Sequence, residues 1–525
     1  MASPSRDVFS PSVSEVLARV ATFAIDGVEP RRVAVEVDIR PGLPAFTVVG
    51  LGDAAVRESR ERIRSAILNA DFEFPQRRIT ANLAPASLRK AGPGFDAALA
   101  LAVLAASGQL DPAALVGVAV FGELSLSGEF RDSPGALAVA EGARRCGLPR
   151  LVVPRERARE AALIEGVRVA GVGGLREAVE VLRGTRQPRP PDPPSGSPRR
   201  GEEQPDLADV RGHQLPVLAL KIAAAGGHNV MLEGPPGTGK TMLARRLPSI
   251  LPPLSRPEAL EVTRIHSIAG LSAGDLIEHR PFRAPHHTIS AAGLVGGGNP
   301  PRPGEASLAH RGVLFMDEFS EFGRQALEAL RQPLEDGRVA IVRGQRALVF
   351  PTRVILVAAT NPCPCGFAGT DRCRCGEPEL HRYERRLSGP LLDRMDLLVN
   401  VERPTAEDLA GAPVTSSKDA RAHVLEARDR QRHRLRGMPV TFNGELDAKL
   451  ARLTIKLDPA AEQALTRAYT AGVLSARGRL RVLRVARTIA DLEQHETVTS
   501  ADLLKALSLR QRTGAEGVSR LGAAG

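Results

Sequence analysis

One run of eight residues, Gly234-Pro-Pro-Gly-Thr-Gly-Lys240-Thr241, constrains the chain more than any other feature. It fits the pattern G-x-x-x-x-G-K-[S/T], in which glycines let backbone N–H groups face phosphate oxygens at a helix N-terminus. Residues 230–232 predict a strand before this phosphate loop, and residues 242–247 predict a helix after it. This order favours a phosphate site over a chance glycine-rich turn. We expect Lys240 to reach the β- and γ-phosphates of a nucleotide and Thr241 to hold Mg²⁺. The residues expected to bind the nucleotide are Gly234, Pro235, Pro236, Gly237, Thr238, Gly239, Lys240 and Thr241.

Composition limits the class of protein and its partners. With 43% hydrophobic and 25% charged residues among 525, the chain predicts a globular protein of about two to four domains. It has no apolar run of about 18 residues and no basic, apolar leader, so we expect a cytoplasmic protein without a membrane span. A net charge of +11 favours a polyanionic partner, nucleic acid first. With no Trp and two Tyr, the contacts should come from Arg and Lys rather than from stacked aromatic rings.

A stretch rich in proline, glycine and serine at 190–205 is the clearest linker. In the α/β core that follows it, the apolar runs 312–316 and 354–359 predict buried strands of a parallel sheet. In the part before it, periodicity predicts strands at 32–39, 114–121 and 151–153 and helices at 54–70 and 95–106. The predicted organisation is an α+β domain at 10–185, a linker at 186–206, the core at 207–404, a helical lid at 405–512 and a disordered tail at 513–525.

Acidic and amide residues follow the two predicted core strands. Asp317 and Glu318 end the first strand, where one carboxylate can hold Mg²⁺ and the next can polarise an attacking water. Asn361 ends the second strand and could orient that water near the γ-phosphate. The alternative for Asn361 is a turn-forming Asn-Pro pair, since Pro362 follows it.

Arg394 is a candidate for completing the site of another subunit. It lies in the segment 387–396, which predicts a helix with Ser388 as its cap. An arginine offered across a subunit boundary can neutralise charge that develops on the γ-phosphate. The alternative is a surface ion pair with Asp393 or Asp396.

Arg477 begins a predicted helix in the lid. Leu480, Leu483 and Ala486 form an apolar face of this helix, and Arg477, Arg481 and Arg484 lie on another face. One of these arginines could sense the nucleotide, and a solvated basic helix face is the alternative.

The order of these motifs along the chain resembles that of AAA+ ATPases. Three segments are similar to the ComM/YifB family of magnesium-chelatase-like AAA+ proteins, namely RPFRAPHHTIS at 280–290, LSGPLLDRMDL at 387–397 and LRVARTIADLE at 483–493. The likeness covers roughly residues 15–510. It implies an AAA+ P-loop core with a helical lid, and a ring, usually a hexamer, with ATP between subunits. In that ring Arg394 would act in trans and Arg477 in cis. The implied activity is ATP-driven branch migration of DNA in homologous recombination or natural transformation.

The segment 337–349 carries the predicted DNA contact. Its alternation predicts a hairpin with Gly344 at the turn. AAA+ relatives of this branch insert a hairpin at this point of the chain, directed into the ring pore. Arg343 and Arg346 would then contact phosphates without reading the base sequence. An ordinary exposed hairpin with basic residues is the alternative.

The segment 282–298 resembles a second insertion. It contains the pair His286 and His287, which could indicate a metal site, but the sequence offers no third or fourth ligand nearby. A loop that moves with the nucleotide state is therefore favoured.

Four cysteines form a cluster with the spacing C-x-C-x₇-C-x-C: Cys363, Cys365, Cys373 and Cys375. In a reduced cytosol a Cys₄ zinc site is favoured over disulfides. The spacing departs from the common C-x₂-C pairs, so free thiols and redox chemistry stay open. The fifth cysteine, Cys146, is predicted to be a lone structural residue.

The N-terminal domain resembles the proteolytic domain of Lon-type proteases in two segments, LRKAGPGFD at 88–96 and GELSLSGEF at 122–130. Those proteases use a Ser-Lys dyad, in which the lysine activates the serine. Here the serine position falls on Gly94 and the lysine position on or near Leu137, so we expect no proteolysis. DNA binding, ring assembly and partner contact stay open as roles.

Together these features predict an ATP-hydrolysing ring motor with ATP and Mg²⁺ as cofactors and branched or single-stranded DNA as its partner. One alternative is a magnesium-chelatase-type AAA+ subunit that remodels a protein partner. A regulatory ATP-binding module is a third possibility, against which the hydrolytic residues Glu318 and Arg394 argue.

Overall fold

The protein folds as two compact units. The computed structural model describes residues 17–50, 54–88, 90, 94–190, 205–272, 274–298, 301–343, 346–368, 370–387, 391–472 and 474–510. The first unit holds the described residues of Met1–Ser197 together with Thr263–Leu276, and the second holds those of Pro198–Val262 and Ile277–Gly525. The segment 263–276, which the sequence assigns to the core, therefore groups with the N-terminal unit. Within the described part of the chain, no helix has the length and apolar character needed to cross a membrane.

A seven-stranded sheet is the base of the first unit. The strands of this unit are β1 (Ala18–Asp26), β2 (Glu29–Arg40), β3 (Ala45–Val49), β4 (Arg78–Ala84), β5 (Val118–Val120), β6 (Glu123–Leu124), β7 (Phe130–Arg131), β8 (Arg150–Pro154) and β9 (Arg168–Val172). Its helices are α1 (Ala54–Asn69), α2 (Asp96–Ala106), α3 (Ala136–Arg145), α4 (Arg155–Ala161) and α5 (Leu175–Arg183). The sheet order is β3-β4-β2-β1-β5-β8-β9, and β6 pairs with β7 in a separate ribbon. Helix α2 is apolar around most of its circumference because it packs against β1 and β2 with residues 96–105 all buried.

Most elements predicted for this unit form where the sequence places them, including α1, α2, β2 and β8. The strand predicted at 114–121 is wrong in its first half. Pro112–Leu115 forms a 3₁₀ turn capped by Asp111, and Gly117 has a φ of 71°. A left-handed residue cannot continue a strand, so pairing begins only at Val118.

The second unit contains the phosphate loop and a parallel sheet of five strands. The strands of this unit are β10 (Val230–Glu233), β11 (Phe282–Arg283), β12 (Gly296–Gly297), β13 (Arg302–Pro303), β14 (Val313–Met316), β15 (Arg338–Arg343), β16 (Arg346–Pro351), β17 (Ile355–Thr360) and β18 (Leu397–Asn400). The parallel order is β11-β14-β17-β10-β18. Strands β14 and β17 are buried along their whole length, which explains their unbroken apolar sequences.

Helices cover this sheet and make up the C-terminal region. They are α6 (Gln214–Gly226), α7 (Lys240–Ile250), α8 (Arg256–Ile268), α9 (Ala291–Val295), α10 (Glu305–Leu308), α11 (Arg324–Ala329), α12 (Arg331–Asp336), α13 (Glu377–Leu387), α14 (Ala406–Ala410), α15 (Ser417–Arg434), α16 (Ala448–Thr454), α17 (Pro459–Thr470), α18 (Ala476–Leu492) and α19 (Ser500–Ser508). Residues 263–268 of α8 belong to the first unit. Helices α15 and α18 pack against α6, and their apolar residues share one core with β10 and β17. The predicted α/β class, with a parallel sheet and a helical C-terminal region, is confirmed. The likeness of the first unit to Lon-type proteases stays a prediction.

The helix predicted within 387–396 is wrong in its described part. Arg394 lies instead in a 3₁₀ turn, Leu392–Arg394, because the chain must extend into β18 three residues later. The predicted cap Ser388 lies outside the described residues.

Candidate functional site

The phosphate loop connects the carboxyl end of β10 to the N-terminus of α7. Gly239, the residue before the helix, has a φ of 87°, a conformation that glycine adopts without cost. Gly234 allows a close approach, because a Cβ there would lie 2.2 Å from the carbonyl oxygen of Val401. The two glycines therefore permit the tight loop that directs N–H groups toward an anion.

Lys240 connects the phosphate loop to the neighbouring strand. Its Nζ donates to the carbonyl oxygens of Gly234 at 2.6 Å and Pro235 at 2.8 Å, and to Asn361 Oδ1 at 3.2 Å. Burial lowers the pKa of the Lys240 ammonium. Since β17 lies directly beside β10, Asn361 at the end of β17 reaches the loop. The structure thus brings these two predicted site residues into contact.

Thr241 and Asp317 form the other predicted pair. Thr241 Oγ1 donates to Asp317 Oδ2 at 2.7 Å, and the backbone N–H of Glu318 donates to Asp317 Oδ1 at 3.0 Å. Hydroxyl and carboxylate oxygens are ligands that Mg²⁺ prefers, so this pair fits a site for the ion of a nucleotide complex. Five predicted residues, Lys240, Thr241, Asp317, Glu318 and Asn361, therefore meet at one edge of the parallel sheet.

Glu318 is held in an unusual conformation. Its φ is 51°, in the left-handed region, where a residue other than glycine is strained by about 1 kcal/mol or more. Its side chain is 61% exposed, and Oε2 lies 3.2 Å from Nδ1 of His287. The His287 ring in turn packs against His286 with ring centres 4.1 Å apart. The sequence indicated the histidine pair as a feature of interest but did not predict its contact with Glu318.

Arg394 and Arg477 lie together in a different part of the second unit. Both line a cavity of about 530 Å³, which we call the arginine cavity. Its arginines are Arg280, Arg311, Arg353, Arg394, Arg428, Arg477, Arg481 and Arg484. Its acids are fewer: Glu258, Glu335, Asp336, Asp396 and Glu445. Burial lowers the pKa of Arg481 and of Arg484, and lowers that of Arg428 to about 9. An excess of partly buried guanidinium groups suits a polyanionic ligand.

The residues 234–241, all of which the structure describes, do not line the arginine cavity. Arg477 is exposed and lines this cavity together with Arg394. Arg394 donates to the carboxylate of Glu335, a partner that the sequence did not indicate. The roles of both arginines stay predictions.

The predicted hairpin forms from β15 and β16. The strands pair antiparallel in a register that sets Arg343 opposite Arg346. Residues near its base are buried, with Val339 6% and Phe350 0% exposed, whereas Val342 near its tip is 70% exposed. The turn with Gly344, and the side chains of Arg343 and Arg346, lie outside the described residues. The hairpin is therefore anchored in the unit at its base, and its described strands become exposed by Val342.

The four cysteines predicted as a metal site lie together. Their sulfur atoms are all within 4.8 Å of one another. Cys363 is 0% exposed, and the backbone N–H of Ala368 donates to its sulfur at 3.2 Å. Hydrogen bonds from the backbone N–H groups of Arg374 and Phe367 lower the pKa of Cys365 to about 6. Burial and the neighbouring sulfur atoms instead raise the pKa of Cys373 and raise that of Cys375 to about 12. The thiolate, the form in which cysteine binds a metal, is therefore favoured at Cys365. Cys146 is exposed and lies apart in the first unit.

In the first unit, packing leaves no room for a nucleophile at position 94. A Cβ on Gly94 would lie 2.7 Å from Phe121 Cε2, so a serine there would require the ring to move. Leu137 is 1% exposed within the core. Nearby, Asp96 is buried and bonded to Arg62, and burial raises the pKa of its carboxyl group to about 6.

Family models match three parts of the chain. The model described as "Magnesium chelatase, subunit ChlI" matches residues 206–409. "Subunit ChlI of Mg-chelatase" matches 35–157, and "Magnesium chelatase, subunit ChlI C-terminal" matches 414–510.

Several curated proteins are similar over nearly the whole chain. An uncharacterised protein of Mycobacterium tuberculosis strain H37Rv is 44% identical over 95% of this chain and 99% of its own length. The uncharacterised protein YifB of Escherichia coli is 41% identical over 94% of this chain and 97% of its own. The competence protein ComM of Haemophilus influenzae is 40% identical with the same coverage of 94% and 97%.

Proposed function

Because this chain belongs to the ComM/YifB family of magnesium-chelatase-like AAA+ proteins, we propose that it is an ATP-hydrolysing ring motor that drives branch migration of DNA. The observation that carries the proposal is the assembly of Lys240, Thr241, Asp317, Glu318 and Asn361 at one edge of the parallel sheet. Such an assembly can hold a nucleoside triphosphate with its metal and position a water for hydrolysis.

Each residue of this assembly has a proposed task. Backbone N–H groups of the phosphate loop and Lys240 bind the phosphates, and Thr241 and Asp317 hold Mg²⁺. The metal, when bound, neutralises charge that develops on the phosphates. Glu318 accepts the proton of the attacking water, and Asn361 orients that water. His287 Nδ1 lies 3.2 Å from Glu318 Oε2 and is proposed to position this carboxylate.

Action on DNA is supported by the hairpin and by charge. Val342 on the β15–β16 hairpin is 70% exposed, and the next residue, Arg343, pairs in register with Arg346. The chain carries a net charge of +11, which favours binding to a polyanion. The similar protein of Haemophilus influenzae is described as a competence protein, which supports a setting in transformation or recombination.

A ring, proposed as a hexamer, would complete each nucleotide site from a second subunit. Arg394 is the residue proposed to act in trans, as the family likeness implies; in this chain it lies beside Glu335 in the arginine cavity. Arg477 is proposed to sense the nucleotide in cis, as the family likeness implies.

The decisive experiment measures ATP hydrolysis with and without DNA, and unwinding of forked and four-way DNA. We expect branched DNA to stimulate hydrolysis and ATP to drive separation of the arms. Hydrolysis without any effect of DNA, and without arm separation by the wild-type protein, would contradict the proposal.

The second candidate is a chelatase-type subunit that remodels a protein partner. The descriptions of the three matching models as parts of magnesium chelatase favour it. It predicts hydrolysis that a protein partner stimulates and DNA does not, so the same measurement separates the two candidates.

A further inference from the structure

We propose that the four-cysteine cluster binds one Zn²⁺ ion, and that this ion fixes the positions of Asn361 and of the phosphate loop. The inference rests on the nucleotide site proposed above but not on any action on DNA. It assigns the cluster a part in controlling nucleotide affinity, beyond stabilising its own loop.

The sulfur positions fit a tetrahedral metal. Zinc–sulfur bonds of about 2.3 Å in a tetrahedron place the sulfurs about 3.8 Å apart. The distances are 3.3 Å from Cys363 to Cys365, 4.0 Å from Cys363 to Cys373 and 3.7 Å from Cys365 to Cys373. Cys375 completes a set of four soft ligands, which select zinc over the hard cations.

The cluster is tied to the nucleotide site along the chain. Cys363 follows Asn361 by two residues, and Asn361 accepts a hydrogen bond from Lys240. Helix α13 begins two residues after Cys375, and its Tyr383 hydroxyl donates to the backbone oxygen of Asn361 at 2.8 Å. Tyr383 is 5% exposed, so this bond is sheltered from water. The hydrogen bond from Tyr383 therefore joins the helix that follows the cysteines to Asn361, which precedes them.

The cluster also touches the phosphate loop directly. Gly366, between the second and third cysteines, has a φ of 85° and lies against Pro236. A Cβ on Gly366 would come within 2.6 Å of Pro236 Cδ, so the Pro236 ring lies close to Gly366. Pro236 belongs to the loop expected to bind phosphate. A metal that fixes the conformation of residues 363–375 would therefore also fix Gly366, which packs against Pro236 of the phosphate loop.

Within this loop, the backbone–backbone hydrogen bonds of the described residues close short turns, from Gly366 to Cys363, from Thr370 to Phe367 and from Cys373 to Thr370. Metal binding is coupled to the folding of the segment that supplies the ligands. Loss of zinc should loosen the Gly366–Pro236 contact and the position of Asn361 together. Small displacements of groups around a bound phosphate are costly, so nucleotide binding should weaken by about tenfold or more.

The first test compares a cluster variant with a matched control. Cys373→Ser with Cys375→Ser removes two ligands, and Cys146→Ser replaces an exposed cysteine outside the cluster. We expect about one zinc per chain, by elemental analysis, in the wild-type protein and in the control, and none in the cluster variant. Affinity for a fluorescent ATP analogue, measured without DNA, should fall about tenfold or more in the cluster variant only.

A second variant changes the contact between Gly366 and Pro236 while the metal site stays intact. It also provides a test if the cluster variant does not fold. Gly366→Ala keeps all four ligands but forces a methyl group against Pro236. It should retain zinc and bind the ATP analogue more weakly, whereas Gly437→Ala, at another left-handed glycine with open space around it, should not.

Two outcomes would overturn the inference. Purified wild-type protein with reduced thiols that neither contains nor takes up zinc would exclude the metal site. Unchanged nucleotide affinity in both the zinc-free variant and Gly366→Ala would exclude the coupling. Since all of these measurements omit DNA, a failure of the proposed action on DNA would leave them unaffected.

Discussion

At the scale of single residues, Lys240 and Glu318 should separate nucleotide binding from hydrolysis. Lys240→Ala removes the ammonium group that contacts the loop and Asn361, so we expect loss of nucleotide binding. Glu318→Gln keeps the shape of the side chain but removes the base, so it should bind ATP and reduce turnover by about 100-fold or more. Binding of a fluorescent nucleotide and release of phosphate measure the two effects.

The matched control for Glu318→Gln is Glu321→Gln, in the 3₁₀ turn that follows Glu318. It makes the same chemical change close to the site and should leave turnover near that of the wild type. Equal turnover in Glu318→Gln and the wild type would remove Glu318 from its proposed role.

A second prediction at this scale concerns pH and the buried Asp96. Its pKa is about 6 in the folded unit against 3.8 for an unperturbed aspartate, because burial disfavours the charged form. The folded state therefore binds more protons than the unfolded state between these values, and the free energy of unfolding falls as pH rises through about 6. With about 1.4 kcal/mol for each pKa unit, the loss amounts to up to roughly 3 kcal/mol.

Thermal unfolding of Asp96→Asn and of the wild type between pH 4 and 7.5 tests this expectation. The variant should lose part of the decline with pH. Asp71→Asn, at a position 79% exposed, is the control and should follow the wild type. Parallel pH profiles for Asp96→Asn and the wild type would contradict the assigned pKa.

At the scale of elements, the β15–β16 hairpin should carry DNA affinity but not basal hydrolysis. Arg343→Ala with Arg346→Ala removes two positive charges at the end of the hairpin. Two lost phosphate contacts should weaken binding at every sequence and reduce the slope of log K against log salt by about 2. Fluorescence anisotropy of labelled DNA over a salt series measures both quantities.

The control removes the same charge from the lid, by Arg452→Ala with Arg467→Ala on the exposed sides of α16 and α17. If the hairpin variant and the lid variant lose the same affinity, net charge alone explains the binding and the hairpin assignment is wrong.

Elements differed in how far the sequence predicted them. Strands β14 and β17 were predicted because parallel strands buried on both faces show unbroken apolar runs. The first half of 114–121 and the helix at Arg394 were mispredicted because a left-handed Gly117 and the nearby strand β18 override local propensity.

Within the candidate site, too, the sequence predicted some features and not others. Its phosphate loop was predicted because the phosphate-binding residues are contiguous, and Asp317 and Asn361 because each ends an apolar strand. The contacts of His287 with Glu318, of Tyr383 with Asn361 and of Gly366 with Pro236 were not predicted. They join residues from separate segments, and no local period or spacing indicates them.

At the scale of the whole molecule, the roles of Arg394 and Arg477 can be separated by mixing inactive variants. In a ring, a Lys240→Ala subunit cannot bind nucleotide but still offers its Arg394 to a neighbour. We expect Arg394→Ala and Lys240→Ala to be inactive alone and to regain hydrolysis of ATP when mixed. An absence of recovery, with mixed rings verified by mass spectrometry, would contradict action in trans.

The same mixture made with Arg477→Ala distinguishes its two possible positions. A residue that acts in cis cannot be restored by a neighbour, so the family likeness predicts no recovery. Recovery would mean that Arg477 serves the same nucleotide as Arg394, as their common cavity would allow.

The grouping of Thr263–Leu276 with the N-terminal unit has a consequence for how the chain can be divided. Ser267 donates to the fully buried Glu160, and Arg264 Nη1 donates to Glu141 Oε2 at 2.8 Å. A gene fragment that ends in the proline-rich linker would encode the N-terminal unit without these donors, leaving a buried carboxylate with one partner fewer. A protease cut in that linker would likewise not release the unit, because residues 263–276 remain joined to the other at both ends. The linker is thus a boundary in the sequence, but a division there leaves residues 263–276 of the first unit on the other fragment.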